Sequence, residues 1–194
     1  MHALQRRGVS PGAMAVAATA FALLSGVSLY NAPLSGRPEI FWALGAFGIQ
    51  ARLLCELMGG MLTVRGLARS KLDSFLSDAL ARASDALILV GAGYSVDIFL
   101  PGGADLGWLA AVLALSTAFV RVLGGSLGLP QSYQGPLGRQ QRMYVITFGA
   151  IAAGVQNAIF RPGWAMVPAL LLVVIGTGWT VARRAEAIVR QLAR

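Results

Sequence analysis

Apolar residues gather into six runs, at positions 13–30, 39–64, 84–100, 105–122, 143–160 and 164–182. Most are close to the roughly 20 residues that carry an α-helix across a bilayer. The pattern therefore predicts an all-α integral membrane protein, a single domain over residues 1–194 with six transmembrane helices. Helix breakers fall between the runs. Asn31, Pro33 and Pro38 follow the first, Pro101-Gly102-Gly103 follow the third, and Pro162-Gly163 precede the sixth. Arg6 and Arg7 lead into the first run, but no clear cleavage site ends it, so it reads as a retained span. No internal repeat, low-complexity tract or second domain interrupts the series.

Composition agrees with the pattern. Hydrophobic residues make up 56% of the chain, charged residues 12%, and the mean hydropathy is +0.67. Soluble domains carry about 25% charged residues. The 24 glycines are dispersed, which suits close helix packing in lipid better than a flexible linker. The lone cysteine, Cys55, excludes an internal disulfide and reads as a packing residue.

Charge adds topology. Arg6 and Arg7, then Arg65, Arg69, Lys71 and Arg82, then Arg121, Arg139 and Arg142, and finally Arg183, Arg184, Arg190 and Arg194 fall on one side of the six spans. The opposite side holds only Arg37 and Arg161, while Arg52 lies within a span. The positive-inside rule then puts both termini in the cytoplasm. The net charge of +8 is thus largely topological, with a second use in holding anionic headgroups or phosphates. No basic helix interleaved with aromatics and no soluble module is present, so no nucleic-acid partner is expected.

Charge within the spans is the candidate chemistry, because ionisable groups are costly at membrane depth. Arg52 and Glu56 lie four residues apart on one helix face. They form either a simple buried pair or a site in which Glu56 faces a cytoplasm-open polar cavity. The next segment brings Asp73, Ser77, Asp78, Arg82, Ser84 and Asp85. Asp73 and Asp78 read as a solvated helix start, whereas Asp85 is deeper and the stronger candidate for a cavity. A prediction follows that Glu56, Ser77 and Asp85 line one cavity.

Other motifs fail on context. Gly124-Gly125-Ser126-Leu127-Gly128 matches G-x-S-x-G, but no strand precedes it and the one histidine is His2, so no catalytic triad can form. Helix packing or a loop is the better use of those glycines. No phosphate-binding loop, dinucleotide fingerprint or His/Cys metal cluster occurs.

Taken together, these residues resemble the CDP-alcohol phosphatidyltransferase family, membrane enzymes that displace CMP from a CDP-linked donor with an alcohol. The family signature, D-x2-D-G-x2-A-R-x8-G-x3-D-x3-D, fits without a gap on Glu56, Gly59, Gly60, Thr63, Val64, Asp73, Ser77 and Ala81. Gly60 alone is retained, and Glu56 is the one carboxylate at a signature aspartate position. The likeness extends to Gly8-Val-Ser-Pro11, Ser70-Lys-Leu72, Arg82-Ala-Ser-Asp85, Ala118-Phe-Val-Arg121, Gly135-Pro136 and Arg139-Gln-Gln-Arg142-Met143.

The resemblance implies a bacterial inner (plasma) membrane protein of phospholipid biosynthesis, a homodimer whose partners are membrane lipid and a CDP-linked lipid donor. It implies Mg2+ or Mn2+, with Glu56 as the remaining metal-ligand position. Substrate contacts would fall to Gly60, Thr63, Arg82, Arg121, Arg139 and Arg142. In the family the aspartates hold the divalent ion and the last one is general base on the attacking hydroxyl. Here that position is Ala81, and losing a general base costs roughly 10²–10⁴-fold. No catalytic residue is therefore assigned. The favoured reading is a relative that has lost the metal site and binds a lipid, a nucleotide or a partner. The alternatives are an active phosphotransferase with a rearranged site drawn from Glu56, Asp78 and Asp85, or an unrelated six-span transporter or scaffold.

Overall fold

The computed structural model describes residues 10–64, 71–130, 135–159 and 163–193, and the side chains of Thr63, Val64 and Lys71 lie outside that description. The described residues are helical and contain no strand. In chain order the helices are α1 (Pro11–Asn31), a 3-10 turn (Ala32–Leu34), α2 (Pro38–Val64), α3 (Lys71–Val96), α4 (Gly103–Ser126), α5 (Arg139–Ile159) and α6 (Met166–Leu192).

Local chemistry sets several of these boundaries. The Ser10 hydroxyl accepts from the Ala13 N–H at 3.1 Å, and Pro11 opens α1 where no N–H is needed. Gly102, at φ +87°, turns the chain into α4, in a backbone conformation that suits glycine. Four stretches are long and apolar enough to cross a membrane: Pro11–Leu34, Pro38–Leu62, Gly103–Ser126 and Met166–Leu192. Helices α3 and α5, which the apolar runs also mark as spans, carry the polar residues described below.

The helices close into a ring in the order α1, α2, α5, α6, α4, α3 and back to α1. Its core is built from Ala22, Leu29, Trp42, Ile49, Ile88, Leu89, Met143, Ile146, Met166 and Leu170. Glycine permits the tightest approaches. A methyl group at Gly26 of α1 would lie 2.6 Å from the Leu87 carbonyl of α3, and one at Gly93 of α3 would lie 2.5 Å from the Gly107 Cα of α4. No side chain fits there, so backbone packs on backbone. Polar side chains tie neighbouring helices together: buried Ser25 Oγ donates to the Gly45 carbonyl at 2.8 Å, and, less deeply, Gln50 Nε2 donates to Thr147 Oγ1 at 2.9 Å and Trp42 Nε1 to Asn157 Oδ1 at 2.8 Å.

One expected boundary moves. The third apolar run starts at residue 84, yet α3 begins at Lys71. The intervening turns mix charged residues with exposed Leu72, Phe75 and Leu76, and they contain the helix start read at Asp73 and Asp78. The Gly124–Gly128 segment divides between packing and turn. Gly124 faces Ile188 of α6, while Gly128 adopts φ +77° beyond the end of α4. The Gly8 and Ser70 positions of the family likeness, and the basic residues Arg6, Arg7, Arg65, Arg69, Arg161 and Arg194, lie outside the described residues.

Candidate functional site

One end of the ring collects the charge. The last turns of α2, α4 and α6 meet the start of α5 and the first half of α3, and three hollows open there. A cavity of about 390 Å³ lies between α1, α2 and α3, lined by Pro11, Met14, Cys55, Glu56, Gly59, Gly60, Ser74, Ser77, Asp78, Ala81, Ser84 and Arg139. A second, of about 320 Å³, is lined by Asp78, Arg82, Asp85, Thr117, Arg121, Arg139, Arg142 and Arg184, with the Gly135 turn. The third is a lateral groove of about 660 Å³ along Leu53, Glu56, Leu57, Gly60, Met61, Arg139 and Gln140. Arg139 borders all three.

The ionic network begins in the ring interior. Arg52 is fully buried, and its Nη2 donates to Asp85 Oδ1 at 2.5 Å and stands 3.0 Å from Glu56 Oε1. Arg139 also donates to the Glu56 carboxylate, and its Nε reaches Asp85 Oδ1 at 3.4 Å. Arg142 Nη2 approaches the other Asp85 oxygen at 3.4 Å, and its Nη1 points to Thr117 Oγ1 and the Leu137 carbonyl. Arg184 is buried too, with Nη1 donating to the Thr117 carbonyl at 3.0 Å. Near the rim, Arg82 pairs with Asp78.

Six guanidinium groups, counting Arg121, thus stand around Glu56, Asp78 and Asp85. The cluster is rich in donors: Nε and Nη1 of Arg52 and Nε of Arg142 are buried with no acceptor among the described residues. A guanidinium offers five N–H groups and no acceptor, so three carboxylates cannot satisfy this set. The arrangement suits an anion.

A divalent ion fits poorly. Such ions take oxygen ligands, and all-protein sites need several converging carboxylates. Among the described residues no three His, Cys, Asp or Glu side chains gather. The two carboxylates deep in the site, Glu56 and Asp85, already accept from arginines. Gly59 and Ala81, at two further signature positions, supply no ligand atom. Ser77 is the remaining one, and its hydroxyl donates to the Ser74 carbonyl at 3.2 Å.

The sequence-derived positions are partly brought together. Glu56, Gly59, Gly60, Ser77 and Ala81 share the first cavity, while Arg82, Asp85, Arg121, Arg139 and Arg142 share the second. Asp85 therefore does not line a common cavity with Glu56 and Ser77. Arg52 and Arg139 lie between the two carboxylates, because each aligns a guanidinium with both. The two readings of Arg52 and Glu56 also merge: they are an ion pair, and Glu56 still borders a cavity. Asp78 is the exposed partner of Arg82, in keeping with a solvated helix start. Thr63 falls among the undescribed side chains.

Sequence reasoning missed Arg184, Thr117 and the pairing of Arg52 with Asp85. A signal for Arg184 existed. Thr177, Thr180 and Arg184 follow helical spacing on α6 and are all buried, a polar stripe that begins within the apolar part of that helix.

No family model matches the chain. It is 28% identical over 198 residues to phosphatidylinositol phosphate synthase of Streptomyces avermitilis, covering 98% of this chain and 76% of that protein. Its fold is similar to crystal structures of the Mycobacterium tuberculosis phosphatidylinositol phosphate synthase PgsA1. The form with manganese and citrate aligns with a TM-score of 0.77 at 17% identity, over 96% of this chain and 86% of that one. The form with CDP-DAG bound gives the same score and identity over 96% and 90%.

Proposed function

We propose that the chain is a member of the CDP-alcohol phosphatidyltransferase family, which its likeness to phosphatidylinositol phosphate synthases supports, and that it binds a CDP-linked lipid donor in the membrane and has lost its turnover. The donor class is supported by the PgsA1 structure that holds CDP-DAG. The lost turnover is supported by one observation above all. Arginines engage both deep carboxylates, Glu56 and Asp85, so neither is available as a metal ligand or a general base.

Each part of the site then has a task. The cavity between α1, α2 and α3 accommodates the nucleotide end of the donor. The lateral groove along Leu53, Leu57 and Met61 runs beside it and offers an apolar wall to acyl chains. Phosphate oxygens fall to Arg139, which borders both hollows, with the bidentate geometry that guanidinium favours. Nothing here takes the place of Ala81 as base, and no acceptor hydroxyl is activated. All six helices cross the membrane, with both termini and the charged end facing the cytoplasm, where nucleotide-linked donors are found. The support is the concentration of basic residues at that end.

Calorimetric titration of the purified protein with CDP-diacylglycerol tests the reading. Saturable binding without CMP formation is the expected result. CMP formation on mixing would instead support the active phosphotransferase, with Glu56, Asp78 and Asp85 as its working carboxylates. Absence of binding would remove the CDP-lipid reading altogether.

A further inference from the structure

The charge cluster carries a step that rests on this reading and goes beyond it. We propose that guanidinium groups have replaced the divalent ion at this site, that Arg139 is a metal-independent clamp for a phosphate or diphosphate group, and that the Glu56 carboxylate occupies the clamp until such a group displaces it.

Position is the first argument. Among the described residues, Arg139 is the one arginine that borders all three hollows. Its side chain is 39% exposed and that of Glu56 is 24% exposed, whereas Arg52 behind them is closed off. An entering anion therefore meets the Arg139–Glu56 pair before it can reach Arg52. The second argument is geometric. A carboxylate and a phosphate offer guanidinium the same paired acceptor oxygens, so Glu56 occupies the place a ligand oxygen would take. Third, the cluster has more buried donors than protein acceptors, with Arg52 and Arg142 holding Asp85 from behind. Arg139 can exchange one anionic partner for another without leaving Asp85 unpaired.

The proposal reverses the sign of one substitution. In a metal site a carboxylate at position 56 holds the cation that holds the phosphate, so removing it weakens binding. In the clamp, Glu56 competes with the phosphate for Arg139, so removing it strengthens binding. A lipid headgroup would arrive along the lateral groove and a free diphosphate through the polar cavities. The shared chemistry is the phosphate oxygen.

The experiment is isothermal titration calorimetry of the full chain in lipid nanodiscs with two probes, CDP-diacylglycerol and inorganic pyrophosphate, each in EDTA and in manganese. Wild type should bind in EDTA, with a Kd that manganese changes by less than about twofold. Glu56→Gln should tighten binding about three- to tenfold, as expected for removing a partly exposed competing ion pair. Arg139→Ala should weaken it by about tenfold or more, which keeps the proposal testable if Glu56→Gln fails to fold. Binding that requires manganese and is lost in Glu56→Gln would overturn the clamp while leaving the CDP-lipid reading intact. Pyrophosphate binding in EDTA without any CDP-diacylglycerol binding would uphold the clamp and remove the lipid donor. If neither probe binds, both fall.

Discussion

The two ends of the helix ring solve the membrane problem in opposite ways. Through the middle and toward the Trp42–Asn157 end, backbone packs on backbone at Gly26, Gly91, Gly93 and Gly107, and isolated hydrogen bonds satisfy the few buried polar groups. At the other end the helices are held apart by hollows, and charge neutralises charge across α2, α3 and α5. The first region depends on the absence of side chains, the second on the presence of particular ones. In such a fold the packed end fixes the geometry and the charged end is free to change its chemistry. That division explains how a fold similar to that of PgsA1 can stand when Gly60 alone of the signature is present.

The contrast can be broken most forcefully at Arg52. Arg52→Ala leaves Asp85 without its closest buried partner and should cost about 3–5 kcal/mol, the usual penalty for splitting a buried pair. Arg52→Met with Asp85→Leu removes both charges and should recover part of that loss, the remainder being the cost of leaving buried Arg142 without its carboxylate. Thermal unfolding in detergent measures both, and equal damage from the single and double variants would deny that the pair is coupled. Next comes the glycine-packed region. Gly107→Leu should destabilise by about 1–3 kcal/mol or more through overpacking, while anion binding in whatever protein remains folded stays unchanged. Loss of binding at full stability would show that the two regions are not separate.

Smaller effects sharpen the picture at the rim. Arg139→Ala should change stability by less than about 1 kcal/mol, because the pair is partly exposed, yet it should lower the affinity for phosphate ligands. Ser77→Ala should be nearly silent, within about 0.5 kcal/mol, and should leave any divalent-ion response as it was. Cysteine labelling at Ser35 and Gly103, compared with the charged end at Arg183, sets the orientation. Both Ser35 and Gly103 are expected on the face opposite Arg183. Finding Gly103 and Arg183 on one face would undo the six-span arrangement.

The sequence makes some of this plain and hides the rest for physical reasons. The apolar runs of α1, α2, α4 and α6 are legible because burial in lipid demands continuous hydrophobicity. The start of α3 is only partly legible: hydropathy marks the span from residue 84, and Asp73 and Asp78 alone point to a helix start in the turns before it, where charges mix with exposed Leu72 and Phe75. Glu56, Asp85, Arg139 and Arg142 stand out as charges in or beside apolar runs. Their pairing does not, because Arg52 and Asp85 are 33 residues apart and nothing local signals a contact between two helices. The expectation of one cavity for Glu56, Ser77 and Asp85 rests on the cost of a carboxylate facing lipid and on the family likeness at Glu56. It could not foresee that arginines from α2 and α5 would stand between them. Arg184 was read as a topological charge, although its threonine stripe marked a buried face.

The central claim is that arginines engage both deep carboxylates, Glu56 at a signature position and Asp85 beyond it, so that a donor is held and not consumed. It is tested most directly by CMP release from CDP-diacylglycerol by the purified wild-type protein, with magnesium or manganese and with glycerol-3-phosphate, inositol or serine as acceptor. The account predicts no release above the protein-free control under any of these conditions. Release at about 1 s⁻¹ or faster, an ordinary enzyme rate, would contradict it.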